Sequence, residues 1–131
     1  MKSAARLGTG IAGRSGAAAV EFALVVVPFL VIVFGLLQVG FTYGVMATLN
    51  EAATETARAL HLSFPDSTPT PEDALREARA RFKGPNPERL TVELEPAEAG
   101  QILRLGYDVP LLLPILNWDV SRLQAEALVA P

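Results

Sequence analysis

Glu21 is the one charged residue between Arg14 and Glu51, and it directly precedes an apolar run, Phe22 to Asn50, without Asp, Glu, Lys, Arg or His. A carboxylate carried into a bilayer costs ~2.5–3.5 kcal/mol at the centre and less at the interface. Such a group either snorkels to water or pairs with a cation. A peptide cut between Gly16 and Ala17 would supply the cation, because it frees the α-amino group of Ala17. On a helix, residues 17 and 21 lie on one face, so the pair can close within a chain or between neighbours in an assembly. The chemistry that this pattern suits is processing followed by ion pairing.

The elements that must position these groups are a leader and a membrane helix. Residues 1–16 hold Lys2, Arg6 and Arg14 and no acid, are rich in Gly, Ser and Ala, and show no helical periodicity. They read as a cytoplasmic leader, with the rest of the chain translocated. An ordinary secretory signal places its small-residue cleavage site after the apolar region. Here the small residues come first, so a cut at Gly16-Ala17 removes the basic residues and keeps the helix. At ~1.5 Å per residue, about twenty apolar residues cross a hydrocarbon core of ~30 Å. The expected arrangement is a leader over 1–16, a helix over 17–62 with its transmembrane segment at about 22–46, and a small extracytoplasmic domain over 63–131.

Pro28 lies inside the run and favours a kink, which membrane helices tolerate. Gly40 and Gly44 match the GxxxG spacing that lets a second helix approach, and Pro28, Gly40 and Gly44 are the candidate helix-packing residues. The same spacing also arises from the ordinary abundance of glycine in membrane helices. Phe41 and Tyr43 suit an outer interfacial position. From Glu51 to Leu62 the helix continues on Ala52, Ala53, Ala57 and Ala59, and Phe64-Pro65-Asp66 stops it. His61, the single histidine, reads as a capping or solvated residue without chemistry.

Composition narrows the function classes. The chain has no cysteine, so disulfides, zinc–thiolate sites and cysteine nucleophiles are excluded. It has 11 basic and 14 acidic residues, and loss of residues 1–16 leaves eight against fourteen, a change from −3 to −6. That balance offers no basic face for nucleic acid. No phosphate loop, metal-ligand spacing or catalytic triad stands in the sequence, so no cofactor or metal is expected and the chain does not read as an enzyme.

Past the long helix, Thr70-Pro71-Glu72-Asp73 predicts a helix start, with Ala74, Leu75, Ala78 and Phe82 on one side and Gly84-Pro85 at its end. Leu90–Glu95 and Leu103–Val109 alternate as strands of a hairpin around a turn at Pro96–Gly100, and Val120–Val129 offers a third strand. Glu93 and Glu95 share the outward face of the first strand, where a solvated pair is the simpler account than a catalytic one. Pro110 to Trp118 is apolar but too short to span a membrane, and suits a core cap, a leaflet contact or a partner contact. The expected fold class is α+β: a long N-terminal transmembrane helix, then one short helix and a three-stranded antiparallel sheet.

Gly16 followed by small residues and then Glu21 resembles the cleavage region of type IV prepilins. More closely, Gly16-Ala-Ala-Ala-Val-Glu-Phe-Ala-Leu-Val-Val-Val-Pro-Phe-Leu30, with Leu49-Asn-Glu-Ala-Ala and Thr56-Ala-Arg-Ala59, resembles the TadE-like family. These are minor pseudopilins of the tight-adherence (Tad) pilus and secretion systems. Thr56 departs from the family pattern, which often has glycine there. The resemblance implies a prepilin peptidase cutting between Gly16 and Ala17, with Glu21 as the assembly or processing carboxylate. It further implies a pilin-like helix in the inner membrane, and other pilin or pseudopilin subunits, the Tad assembly platform and inner-membrane lipid as partners. The alternative is an unprocessed single-pass envelope protein whose soluble domain binds or scaffolds.

Overall fold

Helix α1 runs over Thr9–Ser63 in the computed structural model, which describes residues 9–111 and 122–130, with 9–13 described by their backbone alone. The chain divides into two units, residues 1–37 and 38–131. Pro65 sets the end of α1, since the residue before a proline is pushed out of the helical region, and the Phe64 N–H makes the last bond to the Leu60 carbonyl at 3.0 Å. The helix also extends N-terminally past Gly16, through residues that show no periodicity in the sequence.

In the 38–131 unit, α1 buries one face. Val45, Leu49, Ala52, Ala53, Thr56 and Leu60 recur three and four residues apart and are all buried. Alanine at 52 and 53 serves both propensity and close packing, having no side-chain entropy to lose. Thr56 is the one polar member, fully buried, and its Oγ1 makes no hydrogen bond. A buried hydroxyl without a partner costs about 1–3 kcal/mol. Thr56→Val keeps the shape and removes that cost, so it is expected to stabilise this unit by about 1 kcal/mol. Slower hydrogen exchange across the sheet would show it, and no change or faster exchange would refute it.

Helix α2, Pro71–Arg81, starts on a complete capping box. The Asp73 N–H donates to Thr70 Oγ1 and the Thr70 N–H to Asp73 Oδ2, both at 3.3 Å. The Thr70 hydroxyl donating to Asp73 holds that carboxyl below its ordinary value, and Arg76 adds to the effect. Ala74, Ala78 and Phe82 face the core as the spacing predicts. Phe82 itself leaves the helix with ψ 115 and sets its ring against Tyr107, centroids 5.1 Å apart. Burial pushes the Tyr107 phenol up, and its hydroxyl donates to the Pro85 carbonyl. Asn86, at φ 48, opens a short 3-10 turn over Pro87–Arg89 that leads into the sheet.

Strands β1, Leu90–Ala97, β2, Gly100–Asp108, and β3, Arg122–Val129, form an antiparallel sheet in the order β1-β2-β3. The hairpin is tighter than the sequence suggests. Pairing continues through Pro96↔Gln101 and Ala97↔Gly100, leaving only Glu98 and Ala99 in the turn. Pro96 is tolerated because β1 is an edge strand, and Gly100 supplies the positive φ, 133°, that the re-entry requires. Leu90, Leu103, Leu105, Tyr107, Ala125 and Val129 point into the same core as α1 and α2. Of the stretch Pro110 to Trp118, all but Pro110 and Leu111 lies outside the described residues.

Candidate assembly helix and processing region

The N-terminal part of α1 carries the candidate site. Gly16, Ala17 and Glu21 all lie within the helix and are exposed. Ala17 and Glu21 are one helical turn apart on one face, as expected. From Val20 to Leu37 large apolar side chains are exposed in every direction around the axis: Leu24, Val25 and Val27 alone sample three faces at ~100° per residue. A helix apolar all round and uncovered by its own chain is what lipid or a helix bundle accepts. Among the described residues it is the one helix long and apolar enough to cross a membrane.

Pro28 sits within this helix without ending it. Its ring has no N–H, so the Leu24 carbonyl one turn back loses its intrahelical donor. Gly40 and Gly44 are exposed, and a Cβ built at either would meet nothing. The surface over them is open, as approach of a second helix requires.

Elsewhere several of the titratable groups pair with one another. Glu93 and Glu95 do face outward together on β1, and Arg104 on β2 lies 3.6 Å and 2.9 Å from them. Arg104 also pairs with Glu126 on β3 at 2.8 Å, and this contact, with that to Glu95, raises the guanidinium above its ordinary value. Register places Glu93, Arg104 and Glu126 on one cross-strand row, so the cluster ties all three strands. His61 Nδ1 lies 3.0 Å from the Ala130 carbonyl, joining the end of α1 to the end of β3. An open groove of about 390 Å³ runs beside it, lined by Thr54, Arg58, His61, Glu126 and Leu128 among others. Among the described residues no group of three His, Asp or Glu is placed to hold a metal ion.

Two contacts have no signature in the sequence. Lys83, just past α2, pairs with Glu51 on α1 at 2.9 Å, which raises the ammonium above its ordinary value. Gln38 Nε2 donates to the Pro110 carbonyl at 3.4 Å. Each joins residues far apart in sequence through ordinary side chains, so no spacing rule could have found them.

Comparison with protein families matches residues 16–58 to the model described as TadE-like protein. The match begins at Gly16 and covers Glu21, Pro28, Gly40 and Gly44. Over these residues, about a third of its length, the chain is similar to TadE-like proteins. Comparison with the curated proteins and with the solved structures found no match.

Proposed function

We propose that the chain is a pseudopilin-like subunit of a Tad-type pilus assembly or secretion system. A prepilin peptidase cuts it after Gly16, α1 holds it in the inner membrane with residues 1–16 cytoplasmic, and the C-terminal domain stands on the other side. Assembly with other pilin or pseudopilin subunits on the Tad platform then proceeds through α1. The observation that carries this reading is the family match, which begins at the glycine before the proposed cut and runs through the apolar helix.

The physical logic follows from the helix. While the subunit waits, lipid covers the apolar faces between Val20 and Leu37. In an assembly, neighbouring helices replace lipid, so little hydrophobic energy changes and polar contacts decide the partner. The Glu21 carboxylate of one subunit and the Ala17 amine of another are the complementary charges available there. Such head-to-tail contacts do not close, and they propagate into filaments.

Intact mass of the protein from host membranes, with and without the prepilin peptidase, tests the reading. Loss of residues 1–16 is expected only where the peptidase is present, and Gly16→Ala is expected to abolish it. A full-length mass in both strains would overturn the reading and leave an unprocessed envelope protein that binds or scaffolds through its soluble domain.

A further inference from the structure

Hydropathy does not show where lipid ends along α1, because a domain core is as apolar as a bilayer. The contacts of the helix mark where its own domain begins. Gln38 is the first polar side chain after Glu21. Its bond to the Pro110 carbonyl joins α1 to the chain just beyond β2. One turn past Phe41, Val45 is only 3% exposed, and Leu49 behind it is fully buried. From Gln38 onward one face of α1 therefore belongs to the C-terminal domain. Neither Gln38–Asn50 nor Val109–Leu111 carries a charged side chain, and Phe41, Tyr43 and Pro110 are exposed there, Tyr43 by 78%.

We propose that the bilayer hydrocarbon ends at Gln38, and that the end of the domain formed by Gln38–Tyr43 and Val109–Leu111 rests on lipid headgroups. This rests on the membrane-anchored part of the reading above and not on processing. An uncharged, aromatic-bearing surface continuous with an apolar helix fits the headgroup zone, where tyrosine is enriched. A soluble protein partner would find almost nothing there to pair with by charge.

The boundary fixes the depth of everything before it. Residues 22–37 rise only ~24 Å, short of a ~30 Å core, whereas 15–37 rise ~34 Å. The missing length comes from residues 17–21, which are drawn into the hydrocarbon and leave Arg14 at the inner headgroups. Glu21 then lies inside the lipid, and Pro28 near its middle. A waiting subunit carries its carboxylate at a cost that a cation on a neighbouring helix relieves. The short span thus biases the subunit toward assembly before any other contact forms.

The absence of cysteine allows single-cysteine variants of the full chain. In nanodiscs of phosphatidylethanolamine and phosphatidylglycerol, both faces are open to a charged maleimide. Tyr43→Cys is expected to react at least about ten-fold faster than Leu30→Cys, since no water reaches the hydrocarbon. A bimane label on Pro110→Cys is expected to be quenched by a headgroup nitroxide and not by one at the acyl-chain end, with Phe41→Cys as a second reporter of the same surface. Unchanged hydrogen exchange in β2 shows that each variant is folded. Tyr43→Cys as slow as Leu30→Cys would place the boundary further along the helix and overturn the proposal. Unquenched labels at both Pro110 and Phe41 would equally overturn it, by holding that surface away from lipid. Finding residues 1–16 retained in the host would sink the processing reading and leave this pattern unchanged.

Discussion

Truncating Leu49 to alanine is expected to destabilise the 38–131 unit by about 2–5 kcal/mol. Leu49 is fully buried at the middle of the α1 face that meets the sheet, between Val45 and Ala52-Ala53. The core that it belongs to is rich in alanine, with Ala52, Ala53, Ala74, Ala78 and Ala125, whose side chains cannot move to fill the space. The cost therefore falls toward the upper end, because it grows with the cavity left unfilled. A domain of this size has roughly 5–14 kcal/mol in total, so one methyl-bearing side chain holds a substantial share. Hydrogen exchange of the β2 amides in the full chain, in lipid, is the measurement. A loss of that size speeds exchange between about thirty-fold and several-thousand-fold where opening is global. Leu36→Ala is the control, since Leu36 is 69% exposed in the 1–37 unit and equally apolar. Equal exchange in the two variants would mean that the C-terminal core does not depend on α1.

The contrast between Leu36 and Leu49 also marks what hydropathy can and cannot say. Both stand in one uncharged run, and a window average treats them alike. The transmembrane segment read at about 22–46 includes Val45, which the structure places in a protein core. What separates the two kinds of apolar residue is tertiary: β2 and α2 must arrive before Val45 and Leu49 have anything to pack on. The local elements were legible because their causes are local. Thr70, Pro71 and Asp73 make a helix start from four residues, and strict alternation at Leu90, Val92 and Leu94 needs one buried face. The extension of β1 through Pro96 was not, because proline is acceptable only once β1 is known to be an edge.

The candidate site divides in the same way. Glu21 and the Gly16-Ala17 bond are conspicuous because Glu21 is the one charge between Arg14 and Glu51 and the small residues stand before the apolar run and not after it. Thr56 was visible as a departure from a family pattern, yet its consequence, a buried hydroxyl with no partner, appears only with the core around it. Gln38 was invisible in another way. A lone glutamine in an apolar helix has many explanations until its partner, the Pro110 carbonyl, is seen.

On the pseudopilin reading proposed above, Glu21→Gln is expected to leave processing and membrane insertion intact while lowering incorporation into assembled pili by about a hundred-fold or more, the scale of breaking one buried charge pair. Glutamine keeps the length and one accepting oxygen of glutamate and removes only the charge. In lipid that is a gain, since the neutral side chain is easier to bury. In an assembly it is a loss, because the Ala17 ammonium then sits among apolar helices without its counter-charge. The two effects have opposite signs, so the mutant separates anchoring from assembly where a deletion would not. The amount of protein in the sheared, assembled fraction against that in the membrane is the readout, with intact mass on the same sample to confirm the cut. Asp at this position tests reach, since it keeps the charge on a shorter arm and is expected to fall between the two. Wild-type incorporation of Glu21→Gln would sink the pairing and return Glu21 to an interfacial acid that merely meets water. Loss of the cut in the same variant would instead make the carboxylate a recognition element for the peptidase.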